Sequence, residues 1–241
     1  MQIGLAGYDS WINACREILD TGAEHVLLKP DHDPPDGLPL AISGSSGEWY
    51  PLVDAALRRG SSVLLGNPGA WSFHDLKALQ ALADEAGVEM WTYRPWRWTL
   101  PLAHSGGRLV KVAVTVAADE KWKPWFGHAV DRALGVLGTD SLLRADATRG
   151  LNADGDLSLL LVHARFQNGA AAQISLEKGA TSGVRLTTPV EQKSSSDSEN
   201  RETLNATIQA FLTDPDVLPT LNEAIAGRKI EEKVFSILRT G

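Results

Sequence analysis

Between Met1 and Tyr93, short runs that are apolar almost from end to end alternate with amphipathic helical patterns. The expected strands are Gln2–Ala6, His25–Lys29, Leu40–Ser43, Ser62–Leu65 and Val88–Tyr93. The expected helices are Ser10–Asp20, Tyr50–Arg59 and Phe73–Glu85. A strand without polar alternation must be buried on both faces, and that requires crossover helices above and below a parallel sheet. The Phe73–Glu85 helix carries its own punctuation. Leu76, Leu79, Leu82 and Ala83 form one stripe, Ser72 with Asp75 resembles a capping box, and Gly87 closes the last turn. The segment "PDHDPPDGL" (Pro30–Leu38) is too short and proline-rich for a further helix.

After Pro101 the pattern changes to longer strand-like runs: Leu109–Ala118, Ser141–Thr148, Leu157–Phe166, Ala170–Glu177 and Gly183–Pro189. One helix, Trp125–Leu137, interrupts them, and "QNGA" (Gln167–Ala170) is a hairpin turn built on Asn-Gly. "EQKSSSDSEN" (Glu191–Asn200) is polar enough to be expected as a mobile loop, and helices over Glu202–Leu212 and Leu218–Leu238 follow. The fold class is α/β. A small Rossmann-type parallel-sheet domain over residues 1–99 precedes an α+β domain over residues 100–241 with a mostly antiparallel open sheet and C-terminal helices. Helices for one sheet face leave the other in need of cover, so a homo-oligomer, a dimer, is expected.

A chain of 241 residues buries a proper core as one large domain or two small ones. A net charge of −7 argues against a general nucleic-acid binder. The single cysteine, Cys15, excludes an internal disulfide and a cysteine-rich metal site, and its apolar helix position reads as an inert core thiol. No apolar run approaches the roughly 18 residues of a membrane span. The N-terminus has no basic region ahead of an apolar stretch, so no signal peptide is expected and the cytoplasm is.

The stretch "GLAGYDSWINA" (Gly4–Ala14) begins as a dinucleotide-binding turn does, with a strand running through Gly7 into a helix. Counted from Gly7, however, Asp9 holds the second glycine position and Ile12 the third. The second glycine lets backbone approach a pyrophosphate, which the helix N-terminus then binds. Asp9 adds a side chain and a like charge there, and as an N-cap it would satisfy the helix's first N–H groups itself. Cofactor binding through Gly7 and Asp9 is therefore not expected. A ribose-binding acid at the end of the second strand is also missing: "LLKPDHD" presents Lys29 first, and Asp31 only beyond a proline.

"LLGNPGAWSFHDLKALQALADEAGVEMWTYRPWRWTLPL" (Leu64–Leu102) resembles the glucose–fructose oxidoreductase/inositol dehydrogenase family. So, in order and spacing, do "LAISGSSGEWYPLVDAALRRGSSVLL" upstream and "SGGRLVKVAVTV", "GHAVDRALGVLG" and "FQNGAAAQISL" downstream. The resemblance implies an NAD or NADP cofactor and hydride transfer to or from a sugar or cyclitol carbon. It also implies that the open sheet face is a subunit interface. Its catalytic positions are a lysine in Glu-Lys-Pro, an aspartate, and a histidine four residues later. Asn67, in "GNP", matches the lysine, Pro124 the aspartate and His128 the histidine, which with Asp131 keeps a His-x-x-Asp pattern. Asn67 donates a hydrogen bond but cannot titrate, so His128 alone is left to serve as a base.

All eight tryptophans precede Phe126. "WTYRPWRW" (Trp91–Trp98) and "KWKPWF" (Lys121–Phe126) border the inter-domain cleft in the family's geometry. There Trp91, Trp96 and Trp125 beside Arg94 and Arg97 would stack on a sugar-like or anionic small molecule, or else form core or dimer contacts. The histidines show no metal-ligand spacing, and "PDHDPPD" reads as an exposed acidic loop, so no metal is expected. Three functions follow. The favoured one is a non-catalytic relative of the oxidoreductases that binds a ligand or partner, with no cofactor. The alternatives are an active NAD(P)-dependent oxidoreductase using His128, and a cofactor-independent lyase or isomerase using the same base.

Overall fold

The computed structural model describes residues 2–19, 24–94, 108–138, 142–188, 192–195 and 201–240. The chain divides into two compact units, one of Met1–Pro95 with Glu199–Ile225 and the other of Trp96–Ser198 with Ala226–Gly241.

In the first unit β1 (Gln2–Gly7) leads into α1 (Asp9–Leu19), followed by β2 (Glu24–Leu27), β3 (Leu40–Ser43), α2 (Ser46–Arg58), β4 (Val63–Leu65), α3 (Phe73–Ala86) and β5 (Met90–Thr92). The strands form one parallel sheet in the order β2-β1-β3-β4-β5. Chain direction across the sheet therefore reverses between β1 and β3, the place where open α/β sheets bind ligands. Leu40, Ile42, Val63 and Leu65 pack with Leu52 and Val53 of α2 and Leu76 and Leu79 of α3. Ser72 caps α3 by accepting the Asp75 N–H at 3.1 Å, and Gly87 ends it in the left-handed region, as expected from sequence. Helix α2 starts at Ser46, earlier than the expected Tyr50, and carries Pro51 inside it. Arg59 ties down the acidic loop by donating to Asp36 at 2.9 Å and to Asp33.

The second unit holds β6 (Leu109–Ala117), α4 (Trp122–Leu137), β7 (Leu142–Leu151), β8 (Leu157–Phe166), β9 (Ala171–Gly179), β10 (Gly183–Thr187) and β11 (Gln192–Ser195). Its sheet runs β11-β10-β6-β9-β8-β7, antiparallel except where β6 pairs with β9. Val110, Val112 and Val114 alternate with exposed residues along β6. With Val162 and Ile174 they pack against Phe126 and Val130 of α4. Helix α4 begins three residues before the expected Trp125. Pro124 is no obstacle, because its missing N–H falls among the orphan donors of a first turn.

Two sequence expectations need correction. Residues 192–195, expected within a mobile loop, extend the sheet by pairing with β10. Edge pairing uses backbone groups alone, so a polar composition does not prevent it. Second, not all of the C-terminal segment joins the second domain. Helix α5 (Arg201–Thr213) and the start of α6 (Leu221–Thr240) belong to the first unit. There the Pro219 carbonyl accepts the Thr92 N–H at 2.8 Å, Thr220 bridges Trp91, and Phe211 meets the Trp91 ring edge-on at 5.8 Å. The returning chain thus closes the edge that β5 would otherwise present. The rest of α6 contributes Ile230 and Val234 to the core of the second unit.

Candidate functional site

The carboxyl end of the parallel sheet is where a doubly wound fold builds a site. At Gly7 the backbone has φ of 120°, and a Cβ would lie 2.0 Å from the Ser43 carbonyl oxygen. The Tyr8 N–H donates to that same oxygen at 3.0 Å. The close approach of β1 to β3 is therefore reason enough for glycine, with no phosphate involved. Asp9 is the first residue of α1, it is exposed, and its side chain makes no hydrogen bond among the described residues. The expected N-cap bond is absent because the helix starts one residue earlier than the apolar pattern suggests, which puts Tyr8 at the cap. Asp9 acts on the helix only through the dipole, an effect of about 0.3–1 kcal/mol.

What fills the crevice beside this turn is Trp11. Its indole lies on Gly66, where a Cβ would stand 2.8 Å from Cη2 and 2.9 Å from the Ser43 Cβ. The Tyr93 ring is 5.7 Å away, centroid to centroid. Ser43 ends β3, Gly66 follows β4 and Tyr93 follows β5, so a single side chain from α1 spans the carboxyl ends of three strands. Trp11 is 8% exposed, and its indole N–H is buried without an acceptor. Little in the sequence singles Trp11 out. Its only signal was a bulky residue two places after Asp9 and a glycine after β4 that nothing else required.

Asn67 is exposed just past Gly66 and opens the short 3-10 turn Pro68–Ala70, with no hydrogen bond from its side chain. Lys29 is exposed beyond β2, and its backbone N–H donates to His32 Nδ1 at 3.1 Å. Cys15 is fully buried, and burial pushes its thiol up to about 12, which leaves it without thiolate reactivity near neutral pH.

In the second unit His128 is half-buried in the second turn of α4, its ring edge-on to Trp125 at 6.4 Å. At that depth the helix dipole no longer acts on it appreciably. Asp131 and Arg132, one turn on, are both buried. The Trp125 indole N–H donates to Glu120 Oε2 at 2.6 Å, and the Ser182 hydroxyl donates to the same oxygen at 2.7 Å. Ser182 Oγ in turn accepts the Ala117 N–H at 2.9 Å. This chain of bonds fixes the start of α4 to β6, which gives Trp125 a structural task.

Of the other tryptophan and arginine positions, Trp91 is buried against Phe211, and Arg94 is buried with Nε donating to Thr92 Oγ1 at 3.2 Å. Neither offers a free stacking face in the structure. Trp96 and Arg97 lie outside the described residues. Among the described residues no group of three or more His, Cys, Asp or Glu side chains is placed to hold a metal ion, and no helix is long and apolar enough to cross a membrane.

No protein-family model matches the chain, and no curated protein does. Solved structures do match, over the full length. A Gfo/Idh/MocA family oxidoreductase from Vibrio cholerae is similar with a TM-score of 0.73 at 15% identity, covering 100% of this chain and 99% of that one. An oxidoreductase from Agrobacterium radiobacter, solved in complex with NAD+, L-tartaric acid and magnesium, gives 0.70 at 13% identity, covering 100% and 97%. UDP-N-acetylglucosamine 3-dehydrogenase from Acidithiobacillus ferrooxidans gives 0.65 at 12% identity, covering 98% and 96%. The chain thus has the two-domain fold of these oxidoreductases, the fold that the sequence resemblance implied.

Proposed function

We propose that this protein keeps the architecture of the Gfo/Idh/MocA oxidoreductases without their reaction, and acts by binding a ligand or partner. The observation that carries the reading is the Trp11 indole lying on Gly66 at the carboxyl ends of β3, β4 and β5. A dinucleotide on this kind of sheet needs that crevice open. The turn beside it adds to the obstruction. A phosphate oxygen ~4 Å from Asp9 costs about 1 kcal/mol in water and about 4 kcal/mol at an effective dielectric of 20. Hydride transfer from an alcohol also requires a group that takes up the hydroxyl proton, and Asn67 at the lysine position is not one. The lysine and aspartate that accompany this histidine in the resembling family are matched here by Asn67 and Pro124, neither of which ionises. The ligand class that fits the reading is a sugar-like or anionic small molecule, and the protein is a cytoplasmic dimer.

The test is calorimetry of the full chain with NAD+, NADH, NADP+ and NADPH, alongside tryptophan fluorescence. No binding in the micromolar range and no quenching are expected. A dissociation constant in that range or tighter overturns the reading. So does NADH formed from any sugar or polyol and lost in His128→Ala, which would establish the active oxidoreductase.

A further inference from the structure

The face of the second unit's sheet opposite α4 is charged unequally from end to end. At one end the strand register sets two arginines directly across from each other, Arg144 on β7 and Arg165 on β8. Arg108, just before β6, and Lys111, early in it, lie at the same end. The other end holds Glu177, opposite Leu159, and the turn between β7 and β8 with Asp154 and Asp156. Between the ends Leu161, Ser175 and Ala113 sit side by side across three strands, none of them charged. Like charges opposed across a strand pair repel and weaken the pairing. Arg144 is answered within the chain: Nε lies 2.8 Å from Asp146 Oδ2, and Nη2 donates to Oδ1 at 2.9 Å. Arg165 is exposed and has no hydrogen bond or ion pair with any described residue, and the same holds for Glu177. Beside Arg165 the face dips into a hollow of about 440 Å³ that Asp146, His163 and Gln173 also line.

We propose that a second copy of the chain covers this face with its strands reversed end for end, so that Glu177 of each copy enters the hollow of the other and pairs with Arg165. This rests on the proposed dimer and adds to it an orientation and the contact that sets it. A two-fold axis along the strands lays the two arginine ends on each other, and like charges juxtaposed in an interface are penalised. An axis across the strands lays each positive end on a negative one. With that axis passing between Leu161 and His163, Arg165 comes over the partner's Leu159–Glu177 row. There the carboxylate accepts the paired N–H groups of the guanidinium and supplies the counter-charge that the Arg144–Arg165 pair lacks. The uncharged middle lets the faces approach to the ~10 Å of packed sheets. Strands β6 to β9, nine or ten residues each, with the shorter β10 and β11, make a face of roughly 700–800 Å². That is about what a standard interface takes from each partner.

The experiment treats full-length Arg165→Cys and Glu177→Cys, separately and mixed, with a short bismaleimide linker matched to the ~10 Å between packed sheets. The native Cys15 is fully buried and takes no part. A cross-linked dimer in the mixture, and in neither protein alone, is expected. Cross-linking of Arg165→Cys by itself reports arginine end on arginine end and overturns the proposal. So does the lack of any cross-link in proteins that light scattering shows to be dimers. Charge reversal gives a second measure, by sedimentation. Arg165→Glu and Glu177→Arg are each expected to raise the dimer Kd by about a hundredfold, because symmetry removes two charge-assisted contacts at once. The double variant, Arg165→Glu with Glu177→Arg, is expected to restore the dimer, which a mere folding defect would not allow. Single variants that dimerise as tightly as the unaltered chain, or a double variant that stays apart, overturn the proposal and leave the dimer standing. An unaltered chain with the mass of one copy overturns both.

Discussion

At the scale of single residues, the first unit carries three buried indoles whose N–H groups find no acceptor: Trp11, Trp49 and Trp71. Buried donors are ordinarily satisfied, so each of these rings is kept for its bulk and shape at some cost. Trp49 is pressed onto Gly44, where a Cβ would lie 2.2 Å from the ring, and Trp11 is pressed onto Gly66 in the same manner. Trp11→Ala is expected to destabilise the protein by about 3–5 kcal/mol, the usual range for emptying an aromatic site. Trp11→Phe keeps most of the packing and removes the orphan donor, so it should cost far less. Urea denaturation of the two variants separates the terms. Equal losses would mean that the indole N–H has a partner in solution.

At the scale of elements, α5 decides how complete the first unit is. Phe211 packs edge-on against Trp91, and the Thr203 hydroxyl lies 3.0 Å from the Tyr93 hydroxyl, so the helix completes the β5 side of the sheet. Phe211→Ala is expected to cost about 3–5 kcal/mol, with hydrogen exchange at β5 rising before exchange at β6. Uniform loosening of both sheets would count against this assignment. Most elements were legible in the sequence for a physical reason. Double-sided burial leaves β4 without a polar residue and β3 with only its terminal Ser43, and Ser72 and Gly87 mark the ends of α3 by backbone chemistry that needs no tertiary context. The destination of α5 was not legible. An amphipathic stripe states that a helix covers something and says nothing about which sheet. The turn was half legible: Gly7 and Asp9 are visible in the sequence, whereas the contact between Trp11 and Gly66 joins residues that only the completed sheet brings together.

At the scale of the whole molecule, the described helices of the second unit pack on one face of its sheet, and Lys111, Ala113, His163 and Arg165 on the other face are exposed. Light scattering at micromolar concentration is expected to give twice the mass of one chain. The mass of a single chain would show that this face needs no second copy. The division into units has a consequence of another kind, in the order of synthesis. The first unit begins at the start of the chain and is completed only by Glu199–Ile225, while the second unit takes the remainder of α6. Domains commonly finish folding in turn as they leave the ribosome. Here the strand edge at β5 has emerged long before Phe211 and Pro219 arrive to cover it, and α4 waits for Ile230 and Val234. Both units therefore reach their final form within the same short stretch of translation, and during the long interval before it the nascent chain carries an unsealed sheet edge for chaperones to guard.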